Sequence, residues 1–350
     1  MHANRRGGNV FRDEQEFVRW LQQQTPRAHP SVRLGIGDDA ALVGVAPGHE
    51  LILTTDLSIE GVHFTRALHP ARSVGHRALA RSLSDIAAMG GTPRFALVSL
   101  AISKRTTRAW VQEFYGGIRA LARQFGVALI GGDTAVVPGG TTIDVVAVGE
   151  VERGRALLRS GARPGDQVFA SGRLGLSALG LRLMKSRTGR GEPAGQCAAI
   201  KVHLFPEPQC ALGRYLSEKR LASALIDISD GLSTDLGHLV EASGVGARLW
   251  EQLIPRPKVQ GSRQLPGVDM LQLALHGGED YQLLFSVPPH KVSLVPRKFR
   301  GAPLRRIGEI RAAKGLFLVR ADGKEEALHP AGYDHFRNWV ARIGSRRTGP

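Results

Sequence analysis

Six short segments place acidic residues at glycine-marked turns and at the ends of predicted helices and strands. They are GIGDDA (35–40), TTD (54–56), SD (84–85), GGD (131–133), DISDG (227–231) and GGED (277–280). Carboxylates that project from the ends of separate elements can converge on one site. Such oxygen ligands bind Mg²⁺, usually together with substrate phosphates. Glycines let backbone N–H groups approach phosphate oxygens closely, so the pattern predicts metal-assisted phosphoryl chemistry.

Each segment alone also has an ordinary structural explanation, because aspartate is common at helix caps and in turns. Asp230, for example, can cap a helix that begins at Leu232. Asp85 is harder to explain in this way, since it falls within the apolar helix pattern of residues 73–89, where aspartate is a poor helix former. Because the combination recurs six times, we favour a shared function over six separate caps.

Two other phosphate-binding motifs are excluded. GIGDDA formally matches the dinucleotide-binding pattern G-x-G-x-x-G/A, but Asp38 and Asp39 would lie where a pyrophosphate must bind and would repel it. No G-x-x-x-x-G-K-[ST] sequence occurs, which excludes a Walker-type P-loop.

The apolar patterns predict a mixed α/β chain of about two domains, as expected for 350 residues. Helices are predicted over 14–24, 73–89, 109–124, 174–185 and 232–242, and strands over 51–56, 95–102, 127–130, 143–148, 167–170, 224–228 and within 297–320. The polar stretch RSGARPGD at 159–166 indicates a domain junction. We therefore expect a basic tail (1–12), an N-terminal domain (13–155), a C-terminal domain (156–340) and a second basic tail (341–350).

The charge balance is strongly basic, with 47 Lys and Arg against 31 Asp and Glu, a formal net charge of +16. Such an excess is typical of proteins that bind nucleic acids or anions. Aromatic residues make up only 6%, without an RNP-like or OB-like pattern, so we expect no nucleic-acid partner. Neither Cys197 nor Cys210 belongs to a CxxC pair, which argues against a cysteine zinc site. The sequence has no signal-like apolar segment and no apolar run of about 18 residues, which predicts a cytoplasmic protein without membrane contact.

The segments are parts of longer blocks that resemble one family, the thiamine-monophosphate kinases of the AIR-synthase-like (PurM-like) superfamily. The blocks are GIGDDAALV (35–43), TTDLSIEGVHF (54–64), ALARSLSDIAAMGG (78–91), LIGGDTA (129–135), LRSGARPGD (158–166), IDISDGLSTDLGHL (226–239), HGGEDYQLLF (276–285), IGEI (307–310) and GYDHF (332–336). Nine blocks in this order make the resemblance specific.

The resemblance implies an α/β (α+β), two-domain PurM-like fold. Its N-terminal mixed α/β domain would form a sheet or barrel with that of a second subunit in a homodimer, followed by a C-terminal α/β domain. It implies phosphorylation of thiamine monophosphate by ATP to thiamine diphosphate, the last step of thiamine diphosphate biosynthesis, by direct in-line transfer with several Mg²⁺ ions.

The resemblance also assigns residues. The implied metal ligands are Asp39, Thr54, Thr55, Asp56, Asp85, Asp133, Asp227 and Asp230, of which Asp56, Asp85 and Asp133 are the implied catalytic carboxylates. The implied ATP contacts are Tyr115, Gly132, Arg159 and Ser229. The implied contacts to thiamine monophosphate are His63, Glu279 and Tyr333. Tyr115, beside Phe114 on a predicted helix, is also compatible with a core position.

Another PurM-like ATP-dependent enzyme, of the selenophosphate synthetase or AIR synthase type, is the alternative. The former usually needs a reactive cysteine or selenocysteine near its N-terminus, whereas the first cysteine here is Cys197. The chain also departs from the family's pattern within HLFPEPQ (203–209), where Gln209 stands at the usual arginine position.

Overall fold

The structure is a computed structural model that describes residues 14–25, 30–34, 36, 42–187, 198–257 and 267–333. Asp39 therefore lies outside the described residues. The described residues form two compact units. The first unit comprises the described residues up to 157 together with 184–187 and 204–220. The second unit comprises residues 158–183, 198–203 and the described residues from 221 onward.

Helices and strands are mixed along the chain, and every helix and strand that the apolar patterns predict overlaps one in the structure. In chain order they are α1 (Glu14–Gln24), β1 (Val32–Leu34), β2 (Leu42–Val43), β3 (His49–Ile59), α2 (Ala71–Ala88), β4 (Thr92–Ser103), α3 (Arg108–Phe125), β5 (Ala128–Val137), β6 (Thr142–Glu152), β7 (Gln167–Ser171), α4 (Leu176–Arg187), α5 (Ala198–Leu204), α6 (Cys210–Glu218), β8 (Ala224–Ile228), α7 (Leu232–Ser243), β9 (Gly246–Trp250), α8 (Met270–His276), β10 (Gln282–Val287), β11 (Lys298–Phe299), β12 (Ala302–Arg311), β13 (Gly315–Val319) and β14 (Glu325–Ala327). Two 3-10 helices lie at Glu251–Leu253 and Pro289–Leu294. The mixed α/β class is confirmed.

A four-stranded sheet in the order β3-β6-β4-β5 forms the centre of the first unit. Only β4 and β5 pair in parallel; the other neighbours are antiparallel. The sheet is open, with β3 and β5 at its edges. Along β3, successive side chains alternate between its two faces. Ile52 and Ser58 are buried on one face, whereas Leu53 and Leu57 on the other are 67% and 52% exposed.

Helices α2 and α3 touch backbone to backbone at two glycines. A Cβ atom on Gly75 would lie 2.0 Å from the carbonyl oxygen of Phe114, and one on Gly117 would lie 1.9 Å from that of Arg72. Side chains larger than hydrogen cannot fit at this separation. The two glycines therefore fix α2 against α3, and α2 carries Asp85 in its last turn.

The second unit is built on an eight-stranded sheet that is mainly antiparallel. Seven strands follow the order β14-β13-β9-β12-β7-β10-β8, and β11 pairs with β12. Helix α7 buries Leu232, Leu236 and Leu239 in the core of this unit. This apolar stripe at helical spacing is the one that predicted the helix.

The GGD segment is a correction to the sequence analysis, which placed it at a turn after a strand ending at residue 130. It lies inside β5, which continues to Val137. Gly132 has φ 154°, and a Cβ atom there would lie 2.0 Å from the carbonyl oxygen of Val98 on β4. The glycine serves a close strand-to-strand approach rather than a turn.

Candidate active site

The helix-covered face of the first sheet brings together Thr54, Asp56 and Asp85. Thr54 and Asp56 are two positions apart on β3 and so share a face. Thr54 Oγ1 donates a hydrogen bond to Asp85 Oδ2 of α2. Asp56 Oδ1 lies 3.5 Å from a guanidinium nitrogen of Arg81, one helical turn before Asp85. Asp56 and Asp85 are thus held as neighbours by strand β3 and the last turns of α2.

The charge on Asp56 is disfavoured in this setting. Burial raises the pKa of Asp56 to about 6; the Arg81 guanidinium opposes this rise, and the Asp85 and Asp144 carboxylates add to it. Carboxylates that repel one another in this way are stabilised by a shared cation. A cation bound beside Asp56 and Asp85 would therefore stabilise both carboxylates in their charged forms.

Asp133 lies on the other face of the same sheet. Across the four strands, Leu57, Asp144, Ser99 and Asp133 are direct register partners, and such a row shares one face. Thr55 is on this face too, and its Oγ1 donates to Asp144 Oδ1 at 2.5 Å. Asp133 is exposed and accepts a hydrogen bond from the backbone of Thr134 at 2.8 Å. The structure therefore does not bring Asp133 into contact with the Thr54–Asp85 pair.

Asp144 is a site candidate that the sequence analysis missed. It lies within the apolar strand pattern of 143–148, where a half-buried carboxylate is unexpected. The position of Asp144 in that pattern is the signal that the sequence offers. Its hydrogen bond from Thr55, which lies diagonally across from it on β3, follows only from the pairing of the two strands.

The oxygen ligands of this unit fit a magnesium site that substrate phosphates help to complete. Within the described ranges, no three His, Cys, Asp or Glu side chains form a group that could hold a metal ion. Mg²⁺ in phosphate-transferring sites commonly takes only one or two carboxylates, water and phosphate oxygens. Carboxylate and hydroxyl oxygens, with no sulfur or imidazole among them, are the donors that Mg²⁺ prefers.

In the second unit, the segment that follows β8 carries Asp227, Ser229 and Asp230. Asp227 is buried at the end of the strand. Asp235 of α7 holds the turn, because its Oδ2 accepts from the backbone N–H groups of Asp230 at 3.1 Å and Gly231 at 3.0 Å. Burial raises the pKa of Asp235 to about 8, and the nearby Asp227 and Asp230 carboxylates contribute. This is a second place where carboxyl groups lie close together.

Two further predicted residues meet that segment through their backbones. Glu279 donates its N–H to the carbonyl oxygen of Ser229 at 2.7 Å, and Tyr333 donates its N–H to that of Asp230 at 3.1 Å. Glu279 has a left-handed φ of 64°, which is uncommon for a residue other than glycine. The structure thus gathers Ser229, Asp230, Glu279 and Tyr333 in one place.

The other predicted contacts are placed differently. Tyr115 is 1% exposed and packs against Phe17 and Trp20 of α1, so a nucleotide contact through its ring requires α1 to move away. Arg159 is exposed at the start of the second unit. His63, in the turn after β3, uses Nδ1 to accept from the backbone N–H of Ile59 at 3.0 Å.

Asp280, next to Glu279, links the protein's stability to pH. Burial raises the pKa of Asp280 to about 7, although backbone N–H groups of Gly175, Ser177 and Leu176 oppose the rise. Its native pKa therefore exceeds that of the unfolded chain, so this group contributes stability that is fully present below pH 3.8 and is lost as pH rises through about 7.

We expect Asp280→Asn to remove this dependence, since asparagine keeps an acceptor oxygen without a titrating proton. Between pH 8 and pH 6, the wild-type free energy of unfolding should gain about 1.4 kcal/mol from this group, and the variant should lack that gain. Urea unfolding at the two pH values measures the difference. An identical pH dependence in both proteins would contradict the assignment.

Comparison with known proteins gives matches along most of the chain. A family model described as "AIR synthase related protein, N-terminal domain" matches residues 37–151, and its counterpart "AIR synthase related protein, C-terminal domain" matches residues 163–320.

No helix in the described ranges is both long and apolar enough to cross a membrane.

Thiamine-monophosphate kinases are among the similar proteins. A thiamine-monophosphate kinase of Escherichia coli (strain K12) is 39% identical over 308 residues, which are 87% of this chain and 92% of that protein. The crystal structure of thiamine-monophosphate kinase from Stenotrophomonas maltophilia K279a is 33% identical, with a TM-score of 0.76 over 90% of this chain and 98% of that one. AaThiL, solved in complex with AMPPCP and TMP, is 32% identical, with a TM-score of 0.73 over 96% of this chain and 99% of that one.

Proposed function

Because this chain belongs to the thiamine-monophosphate kinase family of AIR synthase related proteins, we propose that it transfers the γ-phosphoryl group of ATP to the phosphate of thiamine monophosphate. The products are thiamine diphosphate and ADP, formed in the cytoplasm, where ATP is supplied. The observation that carries the proposal is the Thr54–Asp56–Asp85 arrangement, since it offers clustered carboxylate oxygens within a chain of this family.

The acceptor explains why the site is rich in carboxylates and needs no general base. A phosphate monoester has a second pKa of about 6 and is therefore largely dianionic at pH 7. It is already a nucleophile, and the obstacle is repulsion between two polyanions that must meet in line. Catalysis then consists mainly of positioning and of neutralising charge.

Asp56 and Asp85, with the Thr54 hydroxyl, are the residues of the first unit that we propose to hold Mg²⁺. Bound there, the metal would neutralise phosphate charge and orient the transferring group. Asp133, Thr55 and Asp144 on the other sheet face, together with Asp39, are further candidate ligands, as are Asp227 and Asp230 of the second unit. Gly132, Arg159, Ser229 and Tyr115 remain our candidates for ATP contacts.

The residues that we propose to contact thiamine monophosphate must recognise a positive charge as well as a phosphate. Thiamine monophosphate carries a cationic thiazolium ring and an amino group as well as its phosphate. A carboxylate attracts the cation and accepts from the amino group, and it repels the phosphate. Glu279 therefore suits the thiamine end, and His63 and Tyr333 are the other candidates for contacts to it.

Two acceptors test the proposed function. The protein is incubated with Mg-ATP and either thiamine monophosphate or thiamine, and products are separated by chromatography. We expect thiamine diphosphate and ADP from thiamine monophosphate, and no product from thiamine, whose hydroxyl would need a base to deprotonate it. Folded protein that produces no thiamine diphosphate would overturn the proposal.

We also propose that the exposed face of the first sheet pairs with a second copy of the chain. Leu51, Leu53 and Leu57 on this face are 49%, 67% and 52% exposed, and Leu53 lies opposite the half-buried Val148. Contiguous exposed apolar side chains of this kind mark interaction surfaces. A second copy is the occupant that the family resemblance implies, so this face is our candidate for the homodimer interface.

Leu53→Glu is expected to dissociate the dimer. A charge at position 53 would be buried among these leucines in the dimer and should weaken association at least a hundredfold. Light scattering after size-exclusion chromatography at micromolar concentration measures the mass. Leu294→Glu alters a leucine that is 60% exposed in the second unit, and it should leave the mass unchanged. A monomeric wild type, or a dimeric Leu53 variant, would contradict this assignment.

A further inference from the structure

The loop at 277–281 follows a strained path around the proposed substrate contact Glu279. In the described residues only four non-glycine positions have positive φ, and two of them, Glu279 at 64° and Tyr281 at 49°, flank Asp280. Both are tied to the end of β8, Glu279 through Ser229 and Tyr281 through the carbonyl oxygen of Ile228 at 2.9 Å. Strain of this kind persists where surrounding contacts enforce it and is concentrated at functional sites.

Asp280 anchors this loop to the start of α4. Its carboxylate accepts from the backbone N–H of Gly175 at 2.5 Å and from that of Ser177 at 3.1 Å. The side chain is buried, and these bonds satisfy N–H groups at the first turn of the helix. The backbone of Glu279 is therefore fixed relative to α4.

A buried histidine then reaches the Glu279 side chain from α5. His203 is 1% exposed, and its Nδ1 lies 3.0 Å from Ser177 Oγ and 3.7 Å from Glu279 Oε2. The close approach depends on Gly180 of α4, where a Cβ atom would lie 2.9 Å from the Cβ of His203. Glu279 itself is 28% exposed, so its carboxylate faces the histidine and still reaches the surface.

We propose that His203 is a positioning residue that holds the Glu279 carboxylate in the orientation that receives the cationic thiamine end of the substrate. This deepens the proposed function and rests on it. Ser177 fixes the imidazole ring, and the ring directs its Nδ1 edge toward the carboxylate. His203 does not touch the substrate. Because it restricts the Glu279 side chain before binding, that side chain loses less conformational entropy when the substrate binds.

The kinetic test uses His203→Leu, His203→Asn, Glu279→Gln and the double variant His203→Leu/Glu279→Gln. We expect His203→Leu to raise the KM for thiamine monophosphate about tenfold with little change in kcat or in the KM for ATP. Asparagine can present a donor near the Nδ1 position and should recover much of the loss. The double variant should be no worse than Glu279→Gln, because residues that act through one another are not additive.

If His203 had only a structural role, the variants should behave differently. His76→Gln alters a half-buried histidine of α2 whose Nε2 lies 2.8 Å from the carbonyl oxygen of Pro206, and it serves as the control for a lost histidine contact. Additive effects in the double variant, or an asparagine variant as impaired as the leucine variant, would overturn the role of His203. Wild-type protein without turnover would overturn the proposed function instead.

Nuclear magnetic resonance gives a readout that needs no activity. The ring nitrogens of His203 in the full chain should change their ¹⁵N shifts in Glu279→Gln, because the neighbouring carboxylate charge is removed. Those of His76 should not change. Unaltered His203 signals would overturn the inference whatever the kinetics show.

Discussion

Replacing Asp85 by asparagine should lower kcat by about a hundredfold to a thousandfold. Asparagine is nearly isosteric and can still accept the hydrogen bond from Thr54, so the last turn of α2 should stay in place. What the substitution removes is the negative charge that, with Asp56, we propose to hold Mg²⁺. The loss of one such electrostatic group lowers kcat by about a hundredfold to a thousandfold.

Steady-state assays at saturating ATP and thiamine monophosphate, over a range of Mg²⁺ concentrations, measure this effect. Asp322→Asn is the matched control, since Asp322 is an exposed aspartate in a turn of the second unit, where it accepts from the backbone of Lys324 at 2.9 Å. It should retain full activity. An Asp85 variant that keeps its fold and more than a tenth of the wild-type kcat would refute the metal-ligand role.

Gly117→Ala should destabilise the first unit by about 3 kcal/mol, whereas Gly116→Ala should not. The added methyl group at 117 would lie 1.9 Å from the Arg72 carbonyl oxygen, so α2 and α3 must separate. Overpacking in a well-packed interior costs about 1–3 kcal/mol, and contact with rigid backbone belongs at the upper end.

Gly116 makes a strict control because it is the adjacent position on the same helix. A Cβ atom there meets only an arginine side-chain nitrogen, Arg72 Nη1, at 3.7 Å. Alanine should therefore stabilise α3 by about 0.5–1 kcal/mol through its higher helix propensity. Urea unfolding of both variants measures the difference. Equal stabilities would show that the two helices are not in backbone contact.

The sequence was most informative where local pattern determines structure. The apolar spacing predicted α1 at Glu14–Gln24 and β8 at Ala224–Ile228 with the bounds that the structure has. These elements carry their own periodicity, and no distant partner is needed to define them.

Prediction failed where pairing between distant strands decides. The GGD segment was interpreted as a turn because glycines usually mark one, yet Gly132 permits β5 to approach β4. Asp144 was passed over because its meaning depends on the pairing of β6 with β3, which brings it to Thr55. The same pairing puts Asp133 and Asp56 on opposite sheet faces, which no local spacing could indicate.

The net charge of the whole chain and the charge of the candidate site have opposite signs. The net charge of +16 belongs to the chain as a whole, whereas the candidate site holds Asp56 and Asp85 as neighbours, with the Arg81 guanidinium beside Asp56. The local negative charge, rather than the basic total, is what fits a cation between two phosphates.

The fate of the transferred phosphoryl group tests the central claim most directly. Phosphorus NMR of a reaction containing the protein, Mg²⁺, ATP and thiamine monophosphate follows every phosphate at once. We predict that the monophosphate signal is replaced by the two coupled signals of thiamine diphosphate, with one ADP formed for each. ADP accompanied by inorganic phosphate, with thiamine monophosphate left unchanged, would contradict transfer to the phosphate acceptor and with it the function proposed for this chain.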